Sequence, residues 1–467
     1  MSSGSNFSYI FWQRILGRVT MDRTSESNIE ELIAQKKWMN LRSLVTDWQA
    51  PEIADLLLSV QKSDRVLLFR VLPRTMSTEV FAHLNADLQV SLVKELTDEE
   101  TRQLLENLEP DDRTHLFEEL PGRVTQRMLN LLNPDDLIAA RKLLGYPEES
   151  IGRLMTPDYV AVRAEWTVER SLQHIRTVGV GLDTIAMIYV VDSHWKLLDA
   201  IELQQFVLAT PTIPVESIMD RSFVSLSPYG DREEAVGIMG KYDLFAVPVV
   251  ESEGVLLGVV TVDDVMDVAE EEATEDFQKS AAVEPLKMSY EEAGVWSLYY
   301  KRIFWLAPLG FVNLAASSVV ASYETILSSA IILVFFIPLL IGSGGNTGAQ
   351  SATLMVRAIA TGDIHLKQWL RTLTKELSVG LSLGTTMGLV AWIFGFFHGG
   401  TQIALVVGSS MLIIVIVANS IGAMLPLVLN RLGFDPAVAS SPLITSIADV
   451  IGLLIYFWIA VSLLQGF

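Results

Sequence analysis

One aspartate, Asp449, stands alone in a C-terminal stretch that is otherwise uncharged from Pro436 to Phe467. A carboxylate inside an apolar span costs several kcal/mol and persists mainly where it faces water, an ion or a partner. Ser441, Thr445, Asp449 and Gly452 follow one another at steps of four, four and three, so a helix places them on one face. That pattern reads as an ion pathway; the other readings are an Asp hydrogen-bonded to neighbouring Ser/Thr, or a proton-carrying Asp. Asn346 lies in the run Gly342-Ser343-Gly344-Gly345-Asn346-Thr347-Gly348-Ala349-Gln350. A buried Asn often only ties helices together, whereas this glycine-rich setting suggests close backbone approach or exposed carbonyls. Asn419 and Pro426 are further polar or helix-distorting positions in the span preceding that of Asp449.

A second set of acids is crowded rather than isolated. After Asp264 come Asp267, Glu270, Glu271, Glu272, Glu275 and Asp276, with no Lys or Arg between Asp263 and Gln278. The pairs Glu272/Asp276 and Glu271/Glu275 lie four apart on one expected helix, where like charges repel by a few tenths of a kcal/mol. Such a run is either a solvated face or a helix that changes shape when divalent cations neutralise it. Other chemistry is excluded. Without Cys there is no disulfide, thiolate nucleophile or Cys-ligated zinc. The six His are scattered, with no HxH or HExxH spacing. Neither a nucleophile–base constellation nor a P-loop is present, so no enzyme is expected.

The elements that must position these residues divide by charge. Residues 301–467 hold 7 Lys+Arg and 5 Asp+Glu, a net of +2; with 34 and 55 in the whole chain, residues 1–300 hold 27 and 50, a net of −23. The acidic part argues against nucleic acid and favours cations. In the apolar part, Ile303–Ser322, Ile326–Gln350, Leu377–Phe397 and Thr401–Asn430 are uncharged, and the run from Pro436 is broken only by Asp449. A span needs about 20 apolar residues, so five helices are expected to cross a lipid bilayer. Lys301, Arg302, Arg357, Lys367, Arg371, Lys375 and Arg431 fall on one side of these spans. The bias of Lys and Arg toward the cytoplasm makes the N-terminus cytoplasmic and places the C-terminus outside. Localisation in the inner (plasma) membrane as a multi-pass protein follows. Residues 1–25, with the short apolar run Tyr9–Trp12 beside Arg14 and Arg18, read as an N-terminal extension.

Residues 26–148 read as an acidic helical-repeat N-domain. Leu72, Leu96, Leu120 and Leu144 recur every 24 residues, as do Val60, Leu84, Leu108 and Leu132, the signature of an α-helical superhelix. Asp87, Asp111 and Asp135 recur with them, and helix N-capping is the simple account of Asp111 and Asp135, which each follow a Pro. Residues 149–268 hold a second duplication, split at 149–211 and 212–268. Its order is β-α-β-β-α, twice: Tyr159–Val162 and Phe223–Leu226, matching helices around Leu172 and Val236, then paired β-rich stretches and a closing helix. This resembles a pair of cystathionine-β-synthase (CBS) motifs. The second copy has Gly258-x-x-Thr261-x-x-Asp264, where that family often holds a nucleotide; in the first, Asp199 stands in place of the glycine.

The succession of acidic helical domain, α/β CBS-motif pair, connecting (plug) helix at 269–300 and five-span α-helical transmembrane domain at 301–467 resembles the MgtE family of magnesium channels. The motifs that carry the resemblance are Gly344-Gly345-Asn346-Thr347-Gly348-x-Gln350-Ser351-Ala352-Thr353-Leu354, Asp435-Pro436-Ala437, Ser441-Pro442 with Asp449-x-x-Gly452, Thr261-Val262-Asp263-Asp264-Val265 and Glu272-Ala273-Thr274-Glu275-Asp276. The resemblance implies a homodimer with one pore on the two-fold axis, with Asp449 and Asn346 at the pore. It implies regulatory Mg²⁺ at Glu79, Asp111, Asp231, Glu233, Asp243, Asp264, Asp267, Glu272, Glu275 and Asp276, locking the pore shut. Mg²⁺ is then both transported and regulatory, Co²⁺, Ni²⁺ and Mn²⁺ are further possible cations, and ATP is a candidate ligand of the CBS pair. Some relatives have Asn where Ser441 stands. The competing reading is a proton- or sodium-coupled secondary divalent-cation transporter, with Asp449 carrying the coupling ion. A CBS-bearing chloride channel fits less well, because five spans are too few and an acidic pore repels chloride.

Overall fold

The structure is a computed structural model that describes residues 32–464, apart from 34, 36, 47, 181, 183, 287–289, 291, 292 and 365–367. The N-terminal run at Tyr9–Trp12, with Arg14 and Arg18, and also Lys367 lie outside the described residues. The chain forms two compact units that part between Ala269 and Glu270.

In the first unit, helices begin at Ala50, Lys62, Arg74, Ala86, Asp98, Pro110, Gly122 and Pro134, twelve residues apart. Local chemistry sets this pitch. Thr97 and Glu100 form a capping box, Asn85 accepts from the Leu88 N–H at 3.0 Å, and Asn133 accepts from the Asp136 N–H at 2.9 Å. Pro110 and Pro134 occupy first-turn positions that need no N–H donor. At the other end Leu72, Leu96, Leu108 and Leu120 turn extended and sink into the core. Helices pack mainly on their second neighbours: Ala50–Ser59 on Arg74–Ala82, Lys62–Val71 on Ala86–Glu95, Ala86–Glu95 on Pro110–Glu119, and Pro110–Glu119 on Pro134–Leu143. The repeat is therefore a two-layer superhelix whose period of 24 is one pair of helices. The capping expectation is corrected in detail: Asn133, not Asp135, caps its helix, and the Asp111 carboxylate takes the neighbouring Asp112 N–H at 3.2 Å.

The CBS pair follows. In the first copy β1 (Ala161–Val162) lies parallel to β2 (Met187–Val191), which pairs antiparallel with β3 (Leu197–Glu202). In the second, β4 (Ala246–Val250) pairs antiparallel with β5 (Leu256–Thr261). The expected strand Phe223–Leu226 is reduced to a parallel bridge between Leu226 and Val249. β2 and β4 lack polar–apolar alternation and are buried almost throughout, as strands covered on both faces must be. Arg153 joins the two parts of this unit through Glu118, at 2.5 Å. Helix Val262–Ser280 grows directly out of β5 and carries the chain onward.

Among the described residues of the second unit, four helices are long and apolar enough to cross a membrane: Val295–Ser322, Ile331–Ala360, Trp369–Arg431 and Ser441–Leu464. The third, with 63 residues, would be about 95 Å long if straight, against a hydrocarbon core of about 30 Å. It is not straight: Gly400 has φ 73° and ψ −171°, outside the helical region. The two halves fold back on each other along a glycine seam. A Cβ on Gly384 would meet the Leu412 carbonyl at 2.7 Å, one on Gly388 the Gly408 carbonyl at 2.9 Å, and one on Gly395 the Ala404 Cα at 2.8 Å. Only a hairpin with antiparallel halves pairs those positions. At the far end the Tyr456 hydroxyl donates to the Leu333 carbonyl at 2.9 Å, and Tyr323 stacks on Phe457. The outer surface stays apolar, with Phe304, Leu306, Phe311 and Leu314 exposed on the first apolar helix, which suits lipid rather than water.

Candidate ion pathway and acidic sites

The glycine-rich helix Ile337–Ala360 packs against both the hairpin and the last helix, Ser441–Leu464. Gly344, Gly345, Gly348, Ser351, Ala352 and Met355 form its buried stripe. The contact is at backbone distance. A Cβ on Gly422 would stand 2.1 Å from the Gly348 carbonyl, and one on Gly345 would stand 2.7 Å from Thr445 Cγ2. Asn346 lies two residues from Gly348, about 200° round the helix, so it points away from this stripe and is exposed. The glycines thus serve close approach, and Asn346 does not tie these helices together.

Asp449 is half-buried on the last helix, one turn from Thr445. Its Oδ1 is buried and has no hydrogen-bond partner, so neither a Ser or Thr hydroxyl nor the Asn346 amide reaches that oxygen. An unsatisfied carboxylate oxygen is costly in a low-dielectric setting.

The acids that the resemblance assigned to regulation are dispersed. Glu79, Asp231, Glu233, Asp243 and Asp267 are exposed, Asp264 and Glu272 half-buried, and Asp111 is buried. Asp231 accepts from the Glu233 N–H at 2.9 Å, at the start of helix Glu233–Tyr242, and Asp243 ends that helix with φ 54°. Among the described residues, three or more His, Asp or Glu nowhere converge as a ready metal cage.

Glu275 and Asp276 have a partner that sequence reading overlooked. Lys279 pairs with Glu275 one turn back and donates to Asp435 at 2.6 Å. Burial pulls the Lys279 ammonium down, but the bonds to Asp435 and Glu275 outweigh it and the net shift is upward. Burial, then the neighbouring Asp435 charge, raises the Asp276 carboxyl above the usual range, while Lys279 and Arg357 oppose that shift. The i,i+4 spacing of Glu275 and Lys279 was a readable signal; the approach of Asp435 was not. Glu376 was overlooked as well. Its Oε2 accepts from Ser351 Oγ at 3.2 Å and Asn419 Nδ2 at 2.9 Å.

The two CBS copies differ as the sequence implied. Thr261 Oγ1 donates to Asp264 Oδ2 at 2.7 Å. Gly258 gives room to the Thr156 carbonyl, which a Cβ would meet at 2.6 Å. At the matching place Asp199 is fully buried and accepts from the N–H groups of Asp220 and Arg221, each at 3.0 Å. Its carboxylate is a strut between the copies.

These features define a class: a helical membrane protein whose apolar helices carry polar positions suited to ion passage, joined to an acidic helical domain and a CBS pair. The chain belongs to the MgtE family. The family model described as a divalent cation transporter matches residues 337–459, the MgtE intracellular N domain matches 48–149, and the CBS domain matches 215–271. The magnesium transporter MgtE of Thermus thermophilus is 44% identical over 324 residues, 69% of this chain and 72% of that protein. That of Bacillus subtilis is 32% identical over 329 residues, 70% and 72%. A crystal structure of the cytosolic domain of the Mg²⁺ channel MgtE in complex with ATP is similar with a TM-score of 0.50 and 32% identity, covering 51% of this chain and 98% of that one.

Proposed function

We propose that this protein passes Mg²⁺ across a membrane as a channel, along a path marked by Asp449 and Asn346, and that cytosolic Mg²⁺ closes it. The observation that carries this reading is the buried Asp449 oxygen without a partner, in a helix facing the glycine-rich segment. Mg²⁺ sheds water reluctantly and is commonly held by one or two carboxylates with several waters retained. Asp449 therefore acts on a hydrated ion through hydrogen bonds and charge. Two copies of the chain on a two-fold axis bring two such aspartates to one pore. The hairpin at Gly400 supports five passes in the inner membrane, with the N-terminus cytoplasmic and the C-terminus outside.

The regulatory residues are Glu79, Asp111, Asp231, Glu233, Asp243, Asp264, Asp267, Glu272, Glu275 and Asp276. Their donor set is all oxygen, which suits Mg²⁺, and Asp276, whose carboxyl is raised by burial and then by the Asp435 charge, sits beside negative charge that a divalent cation would relieve. Glu272, Glu275 and Asp276 share one helix face and would hold Mg²⁺ together with its remaining waters. ATP binding at Thr261 and Asp264 is part of the same reading, supported by the likeness to the ATP-bound relative.

The test is Mg²⁺ uptake into liposomes containing the purified protein, with no Na⁺ and no pH gradient. Asp449→Ala is expected to abolish most flux, and Asp449→Asn to retain flux with weaker preference for divalent ions. Near-normal selective flux in both variants overturns the assignment. Uptake that requires a Na⁺ or proton gradient replaces the channel by a coupled transporter.

A further inference from the structure

Glu376 is a further carboxylate among the apolar helices, and it is not one of the residues proposed to mark the ion path. It is the eighth residue of helix Trp369–Arg431. Ser351 and Asn419, its partners, are 4% and 3% exposed. About 10 to 18 Å of helix separates each of the three residues from the nearer end of its own helix, so the cluster sits inside the helical bundle. Asn419 holds Glu376 twice, donating to Oε2 at 2.9 Å and to the backbone carbonyl at 2.8 Å. Ser351 donates to the same Oε2 at 3.2 Å. One carboxylate oxygen thus joins three separate helical stretches: the glycine-rich helix and both arms of the hairpin.

The place of this junction is informative. Gly380, one turn beyond Glu376, lies against Ile416 and Asn419, so the junction closes the open end of the hairpin's glycine seam. Ser351 is three residues from Gly348, whose carbonyl meets Gly422 in the closest backbone approach of the glycine-rich helix. The Gly348–Gly422 backbone contact limits distance but has no side chains to interlock, and the side chains seated on the stripe, Ile414, Ile444 and Thr445 through its methyl, make apolar contacts that have little directionality. A charge-assisted hydrogen bond near the end of such a seam fixes both rotation and height. Asn346 is five residues before Ser351 on the same helix, and its direction depends on that rotation.

We propose that Glu376 is a positioning residue: through Ser351 and Asn419 it locks the rotation of the glycine-rich helix and so sets where Asn346 points. This rests on the reading of Asn346 as a pore residue. The role belongs to hydrogen-bond acceptance, so Gln should serve in place of Glu, since its amide oxygen can still accept from both donors.

The chain has no Cys, so single cysteines at 343–350 report the helix face directly. In the full-length protein in liposomes, each is labelled with a small water-soluble methanethiosulfonate. The same series is made with Glu376→Ala, Glu376→Gln and Ser351→Ala. In the parent, labelling peaks at Asn346→Cys. Glu376→Ala, which removes both side-chain bonds to Oε2, is expected to spread labelling to flanking positions and to lower Mg²⁺ flux at least about tenfold, the population shift that follows loss of even one hydrogen bond to a charged group. Ser351→Ala should do the same more weakly, and Glu376→Gln should restore both the labelling pattern and most of the flux. If Glu376→Gln is as deficient as Glu376→Ala, the charge acts on the ion itself and positioning is wrong. An unchanged labelling pattern in Glu376→Ala also overturns it. Should Glu376→Ala fail to fold, Ser351→Ala and Glu376→Gln decide by the same criteria. A parent in which Asn346→Cys is unreactive overturns the pore reading instead, while a change of pattern between backgrounds would still support the lock.

Discussion

At the scale of single residues, the apolar unit depends on groups that are either very small or very costly to bury. Gly422 is the clearest of the small ones, since a methyl there would collide with the Gly348 carbonyl at 2.1 Å. Neither backbone can yield without moving a whole helix, and overpacking of this kind typically costs about 1–3 kcal/mol, occasionally more. Gly422→Ala is expected to lower the melting temperature of the detergent-solubilised protein, whereas Gly310→Ala, where nothing lies within 4 Å of the added methyl, should leave it unchanged. Equal melting of the two variants would show that the close approach is not maintained. Asp449 is the costly group. Ion passage would account for its burial, and the Asn and Ala variants separate hydrogen bonding from charge.

At the scale of elements, the end of helix Val262–Ser280 is held by charge. Lys279 neutralises Glu275 and Asp435 together, close to the acid whose ionisation is already disfavoured, Asp276. Removing the ammonium leaves three carboxylates facing one another. Lys279→Met should therefore make residues 270–300 more sensitive to protease without divalent ions, and millimolar-order Mg²⁺ should restore protection. Glu275→Ala/Asp276→Ala should have the opposite signature: less repulsion at low Mg²⁺, and more Mg²⁺ needed for closure. High Na⁺ at equal ionic strength is the control; protection by Na⁺ equal to that by Mg²⁺ would mean screening, not bridging. In the superhelix, by contrast, apolar burial is what holds the elements together. Phe81 is fully buried and contacts Phe69 edge-on, with ring centroids 6.1 Å apart. Phe81→Ala should cost about 3–5 kcal/mol, read as a lower denaturant midpoint of the first unit.

At the scale of the whole molecule, the proposed function couples an acidic sensor to an apolar pathway. Linkage demands that Mg²⁺ bind the closed arrangement better than the open one. Deleting residues 1–265 is then expected to leave Mg²⁺ flux that no longer shuts as internal Mg²⁺ rises. Inhibition with an unchanged midpoint in that truncation would place the sensor elsewhere.

Much of this organisation is legible in the residues alone, because it depends on neighbours in the chain. Caps such as Thr97 with Glu100, the spacing of buried leucines and the long uncharged runs report local helices and their apolar faces. The departure of Asp199 from glycine likewise announced a difference between the CBS copies, though not its role as a strut. What the tertiary structure decided are encounters that no spacing encodes. Tyr456 reaches Leu333, Lys279 reaches Asp435 and Glu376 reaches Asn419 across 123, 156 and 43 residues. Asp111 is buried in its layer, although its sequence context is that of an exposed helix start. Periodicity states which face of an element is apolar; only the path of the chain, turned at Gly400 and stacked in alternate layers, states which faces meet and so which polar groups are paired and which, like the Asp449 oxygen, are left over.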